Sequence, residues 1–223
     1  MHPMIRKKLN KIRPDLQSSH FLEIRDAMTQ REKMILKKKL QTFVEALPTG
    51  LTQRQKAALL YRVITNCIEY DRDEEDENLR YTYAGAMLTG TAVCWGISEL
   101  YSILCNAWGV ECQVVLGCIT GSEDYHAWVQ LRFRDEGEVP KQYQCDPTFD
   151  LTDGKRGRYE YFLRSDAEMN KRRHNWLPER YWVCPQDDGV MPCLPGQMVR
   201  DACGAFENMY SQRRAVYLKS KGV

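Results

Sequence analysis

A chain of 223 residues, 43% hydrophobic and 28% charged, can bury one sizeable core and suits a single domain with a helical extension. No apolar run is long enough to cross a bilayer, and the opening MHPMIRKKLNKIRPD lacks the apolar stretch of a signal peptide, so no transmembrane segment and a cytoplasmic location are expected. A net charge of +2 calls for no polyanionic partner; residues 1–40 hold eleven Lys or Arg against four Asp or Glu, but a solvated helix face accounts for them, and no nucleic-acid partner is expected.

In chain order, 21–47 reads as one or two helices ended by Pro48-Thr49-Gly50. Thr52 then caps a helix to about Glu69, with Ala57, Leu60, Val63, Ile64 and Cys67 on one face. The acidic run 71–77 (DRDEEDE) reads as a solvated loop. After Cys94 the apolar positions Ile97, Leu100, Tyr101 and Leu104 recur at three and four until Trp108-Gly109, so Cys94 falls in the first turn of a helix. Strands are predicted at Glu111–Ile119, Asp124–Phe133 and Gln142–Asp146, the last ended by Pro147. Tyr159–Asn170 is predicted as a helix and Tyr181–Cys184 as a strand. A loop rich in Pro and Gly from Pro185 to Gly196 leads to a final helix over about Phe206–Leu218.

Three of these segments carry chemistry: TAVCWG at 91–96, YHAW at 125–128 and CDPTFD at 145–150. The first-turn N–H groups and positive dipole end favour a thiolate at Cys94 and can hold an oxyanion. Along 124–133, Ala127, Val129, Leu131 and Phe133 point one way and His126, Trp128, Gln130 and Arg132 the other, which places the imidazole on the polar face, toward a cleft. The carboxylate of Asp146 suits the other ring nitrogen of His126, fixing tautomer and orientation. A nucleophilic cysteine needs these three roles. Each residue also has a plainer reading: Cys94 as an inert helix cysteine, Asp146 as a cap on the turn at Pro147, and Trp95 and Trp128 as packing walls. His174 with Trp176 is weighed as approaching the site, but a surface or packing role is favoured, and Tyr83 is a weak candidate for a second oxyanion donor.

The nine cysteines are odd in number and none has C-x-x-C spacing, which argues against a disulfide framework. Cys67, Cys105, Cys112 and Cys118 lie in apolar runs as small buried hydrophobes. A zinc site built from Cys184, Cys193, Cys203 and His174 is conceivable but lacks the close ligand pairs of structural zinc, so no metal and no cofactor are expected. No EF-hand loop is present.

The ordered set resembles the transglutaminase-like superfamily, whose members carry a Val-Cys-x-Gly helix start, a His-Ala-Trp strand and an Asp-Pro-Thr strand in this order. The resemblance runs from Leu51 to about Trp176 and includes LTQRQKAALLYRVITNCIEYD upstream and YFLRSD with His174 downstream. Trp95 departs from the polar residue often found after the cysteine. The resemblance implies an α+β papain-like core in which the nucleophile helix and a helical layer pack on an antiparallel sheet. Residues 1–50 would form an N-terminal helical extension and 51–223 the catalytic domain. It also implies Cys94 as nucleophile, His126 as general base and then acid, and Asp146 as orienter, acting on a protein or peptide substrate through a thioester. Hydrolysis, as by a cysteine protease or amidohydrolase, is favoured over acyl transfer to an amine. The alternative is a binding or scaffold protein that keeps the fold without catalysis. Substrate identity and oligomeric state are not legible in the sequence.

Overall fold

The computed structural model describes residues 30–72, 80–122, 125–152 and 157–220. The start of the first predicted helix and most of the acidic run lie outside them. Helix α1 (Gln30–Glu45) is followed by α2 (Gln53–Cys67), the two-residue strand β1 (Glu69–Tyr70), α3 (Tyr83–Thr89), β2 (Thr91–Ala92) and α4 (Cys94–Ala107). Strands β3 (Glu111–Ile119), β4 (Tyr125–Phe133) and β5 (Lys141–Cys145) come next, then α5 (Pro147–Thr152), α6 (Asp166–Lys171), β6 (His174–Asn175), a 3-10 turn at Pro178–Arg180 and α7 (Gly196–Ser220).

The architecture is α+β. One four-stranded antiparallel sheet has the order β5-β4-β3-β6, and β1 pairs β2 in parallel beside it. Helices α1, α2, α4 and α7 share a core with the sheet: Leu36, Leu40 and Phe43 meet Leu60, Ile64, Leu100, Leu104, Val129, Leu131 and Phe206. Polar side chains tie the layers at chosen points. Tyr101 donates to the carbonyl of Ala57 (3.0 Å), and Ser98 to that of Ala127 (3.1 Å), fixing α4 against α2 and β4.

Local chemistry explains the element starts. Thr52 and Gln55 form a reciprocal capping box at α2, satisfying two backbone donors that the helix itself leaves open. Gly96, in the first turn of α4, has the backbone oxygens of Thr82 and Arg80 so near that an added Cβ would lie 2.7 and 2.9 Å from them. A side chain there would push the start of α4 off the segment that precedes α3. Gly117 plays the same part on the sheet: a Cβ would sit 2.1 Å from the carbonyl oxygen of Asn175 and 2.4 Å from the Trp128 ring. Its absence lets β6 and Trp128 close onto β3.

Four expectations change. The helix predicted over Tyr159–Asn170 begins only at Asp166, because Ser165 caps it by accepting from the N–H of Glu168 (3.2 Å). The preceding stretch is instead a non-helical return that pairs with β5, Gln144 and Arg164 exchanging backbone hydrogen bonds of 2.7 and 2.8 Å. Tyr181–Cys184 joins no strand; the side chain of Gln130 bonds both the N–H (3.0 Å) and the C=O (2.8 Å) of Trp182 in place of a neighbouring backbone. The last helix starts ten residues early, at Gly196, since Met198, Val199, Ala202, Phe206 and Met209 already form its apolar stripe. Finally, β4 is covered on both faces: Trp128 and Gln130 are as buried as Val129 and Leu131, because the return segment with Met169 and Trp176 packs over the face read as polar.

Candidate active site

Cys94 is the first residue of α4, behind Val93, whose side chain offers no oxygen to cap the helix start. Its side chain is half-buried and lines a cleft of about 400 Å³ with His126, Tyr70, Arg72, Ile119, Ser122, Tyr125, Thr148 and Phe149. His126 stands near the start of β4, with its ring stacked on Trp128 (centroids 5.8 Å, 22°) and met edge-on by Phe149 (5.0 Å, 90°). Those two rings fix the plane of the imidazole. Its Nε2 lies 2.6 Å from Asp146 Oδ2, and its ring shares the cleft wall with Cys94.

Asp146 follows β5 and precedes Pro147, which opens α5 at a position where a missing N–H costs nothing. Its Oδ1 accepts from the backbone N–H groups of Thr148 (2.9 Å) and Phe149 (3.1 Å), the duty of a helix cap. Its Oδ2 faces His126 and also the Nε2 of His174 at 2.8 Å. Four N–H contacts therefore surround a side chain with no solvent exposure. The cap and the histidine contact use different oxygens, so both functions coexist.

The electrostatics follow from that enclosure. Burial opposes an imidazolium at His126 most strongly, but the charge and hydrogen bond of Asp146, with a further part from Cys94, outweigh it and raise the pKa to about 10. For Asp146, burial works toward the neutral acid, yet His126 and His174 overcome it and hold the carboxyl well below the ordinary range. Asp150 shows the opposite balance. Burial pushes its pKa up to about 6 despite hydrogen bonds from Tyr61 Oη (2.6 Å) and the N–H of Tyr161 (3.1 Å).

His126, Asp146 and His174 also form the set of possible metal ligands among the described residues, with ligand atoms within 4.8 Å of one another. Their Nε2 to Oδ2 separations of 2.6 and 2.8 Å are direct hydrogen bonds. A tetrahedral zinc with ~2.0 Å bonds would hold its ligands about 3.3 Å apart. Cys184 and Cys203 are not drawn to His174. Cys184 lies by Asp166, its N–H bonding Oδ2 at 2.9 Å, and Cys203 lies against Cys67.

Sequence reasoning brought Cys94, His126 and Asp146 forward; the fold places Cys94 and His126 on one cleft and Asp146 buried against the imidazole. His174, read as a surface or packing residue, is instead wholly buried and bonded to Asp146. The signal for it was its nearness to the Trp176 that packs on Trp128 (5.8 Å). Tyr83 does not reach the cleft; it opens α3, and its N–H donates to Glu99 Oε2 at 3.0 Å. Trp128 lies behind His126, with its N–H on Gln144 Oε1 (2.7 Å), and Trp95 does not line the cleft. Tyr70, Tyr125 and Phe149, the aromatic lining, carried no sequence signal beyond their adjacency to the motifs.

A sequence profile of the transglutaminase-like superfamily matches residues 41–143. No curated protein matches. A solved structure described as "Crystal structure of a TGase" is similar at 18% identity with a TM-score of 0.46, over 60% of this chain and 37% of that one. The chain thus spans well under half of that protein's length.

Proposed function

We propose that this chain, which belongs to the transglutaminase-like superfamily, is a thiol enzyme that opens an amide or peptide bond through a thioester on Cys94, with water as the preferred acceptor. The observation that supports this most is the shared cleft: the Cys94 thiol at a helix start, facing the same space as an imidazole whose Nε2 rests on a buried carboxylate. In this reading His126 takes the thiol proton on the ring nitrogen that Asp146 leaves open, and the buried carboxylate steadies the imidazolium so formed.

Attack of the sulfur on the carbonyl carbon makes a tetrahedral oxyanion, which the N–H groups of the α4 start are suited to receive. Collapse expels the amine, which takes the proton from His126 and leaves the thioester. His126, again neutral, then draws a proton from water as the oxygen attacks; collapse of this second intermediate breaks the carbon–sulfur bond, and the proton on His126 with the freed Cys94 sulfur restores the starting site. An amine in place of water gives transamidation with the same first half. Asp146 stays anionic throughout and holds the ring in place.

The substrate is a protein or peptide segment in this reading, seated among Tyr70, Tyr125, Ile119 and Phe149. In this reading residues 51–223 are the catalytic domain and 1–50 its N-terminal extension. The reading places the protein in the reducing cytoplasm, in keeping with nine cysteines none of which is in a disulfide. No described helix is long and apolar enough to cross a membrane.

The test is acylation. The intact protein, incubated with a peptide library and quenched in acid, should gain mass at Cys94 as a hydroxylamine-labile thioester, and Cys94→Ala should gain none. A folded wild-type protein that alkylates normally at Cys94 but forms no acyl adduct with any peptide would point to the scaffold alternative.

A further inference from the structure

The oxygen of Asp146 that meets His126 meets a second imidazole, which the proposed reaction does not use. His174 is wholly buried, with its Nε2 2.8 Å from Oδ2 and its Nδ1 3.2 Å from the carbonyl oxygen of Arg172. The placement is built by the chain. Strand β6 pairs Ile119 with His174 and Cys118 with Asn175, and Arg173 just before it adopts a left-handed φ of 70°. The N–H of Thr120 binds the Arg173 carbonyl at 2.8 Å. The ring is then enclosed by Trp128 (5.0 Å, 89°), Phe149 (5.1 Å) and Tyr161 (5.7 Å).

Orientation of the carboxylate does not need this contact, because Oδ1 is already held by two backbone N–H groups. What His174 changes is the oxygen it shares. Two donors on one carboxylate oxygen compete for its electron density, and each receives a weaker acceptor than it would alone. We infer that His174 is a positioning residue acting through Asp146: its hydrogen bond to Oδ2 restrains the basicity of His126, so that the imidazolium still yields its proton to the departing amine. The inference rests on the proposed acylation for its purpose, but the restraint itself is a property of the resting protein. The other titratable or charged groups around this unit include Cys94 from α4, Cys145 from β5, Asp150 from α5, Tyr61 from α2 and Tyr161 beside His174, with Tyr70, Arg72 and Tyr125 on the cleft wall.

Two variants of the full chain separate donation from packing. His174→Gln keeps an N–H at the reach of Nε2, whereas His174→Leu keeps bulk and removes the donor. Histidine nitrogen NMR reads the His126 midpoint directly, without a substrate, and iodoacetamide labelling of Cys94 against pH reads its effect on the thiol. The Leu variant should move the His126 midpoint up by about half a pH unit or more and carry labelling with it, while Gln stays at the wild-type value. A midpoint unchanged in Leu, with only a smaller folded fraction, would reduce His174 to packing. A downward move would mean that it supports the ion pair and does not restrain it; either result overturns the inference. Where Leu fails to fold, His174→Met against His174→Gln gives the same comparison. Failure of the acylation proposal shows separately, as a wild-type protein with the midpoint difference and no thioester.

Discussion

Asp146→Asn keeps the shape of the side chain and removes its charge, which makes it the cleanest probe of the site. In the wild type, His126 titrates at about 10 against an ordinary 6.5, with burial working against that rise and Asp146 chiefly producing it. The difference of 3.5 units (10 − 6.5), at about 1.36 kcal/mol per unit, corresponds to about 5 kcal/mol of folding stability at most. Because the folded value is the higher one, this stability is fully present below the unfolded midpoint of about 6.5 and is lost as pH rises through about 10. The lowered pKa of Asp146 is the same attraction seen from the anion, so the two are not added. In Asp146→Asn burial of His126 remains without its counter-charge, and the ring becomes neutral at or below its ordinary midpoint. Urea unfolding measured across about pH 6 to 10 should show a fall of several kcal/mol in the wild type that the variant lacks. Parallel curves for the two proteins would refute the assignment of Asp146 as the charge partner of His126.

His126→Ala should slow iodoacetamide labelling of Cys94 at about pH 6 by roughly tenfold or more, read by mass spectrometry, since the imidazolium that favours the thiolate is gone. Asp150, with its folded pKa raised to about 6, favours the protonated form, so its contribution is complete below the unfolded value of about 3.9 and is lost as pH rises through about 6. Asp150→Asn should therefore be more stable relative to wild type at pH 7 than at pH 4, a difference that urea titrations at the two pH values would register. Gly117→Ala places a methyl carbon where the Asn175 carbonyl and Trp128 ring already stand, and should cost about 1–3 kcal/mol in urea unfolding. Thr52→Ala removes the capping box of α2 and should cost about 1 kcal/mol by the same measurement.

What the sequence disclosed was local in origin. Thr52 with Gln55, the spacing from Ile97 to Leu104, and the alternation of β4 are signals carried within one turn or one strand, and the elements follow them closely. The order of motifs around Cys94, His126 and Asp146 was equally readable. The return from Tyr159 to Cys184 was not, because its conformation is set from outside. Tyr159 and Leu163 take left-handed φ values of 52° and 55°, and Arg164 and Trp182 bind Gln144 and Gln130 across the sheet. No period of 3.6 or 2 records such pairings. The same gap hid His174, whose role is fixed by its register against Ile119 on a strand of two residues. It also misplaced the environment of β4: alternation in sequence announced one wet face, whereas a later segment covers it.

That late covering has a consequence for how the protein comes into being. Cys94, His126 and the strands between them are complete by residue 133, but the donor pair on Asp146 closes only when β6 lays the carbonyl of Asn175 over Gly117. A chain still emerging from the ribosome thus carries its thiol and its imidazole for some forty residues before the last member of the cluster arrives. A fragment cut at the end of the profile match, residue 143, would carry the nucleophile helix and lack Asp146 and His174 alike. Assembly of the base thus waits on residues made after the matched segment ends, and a product truncated there would hold a cysteine with no organised proton acceptor beside it.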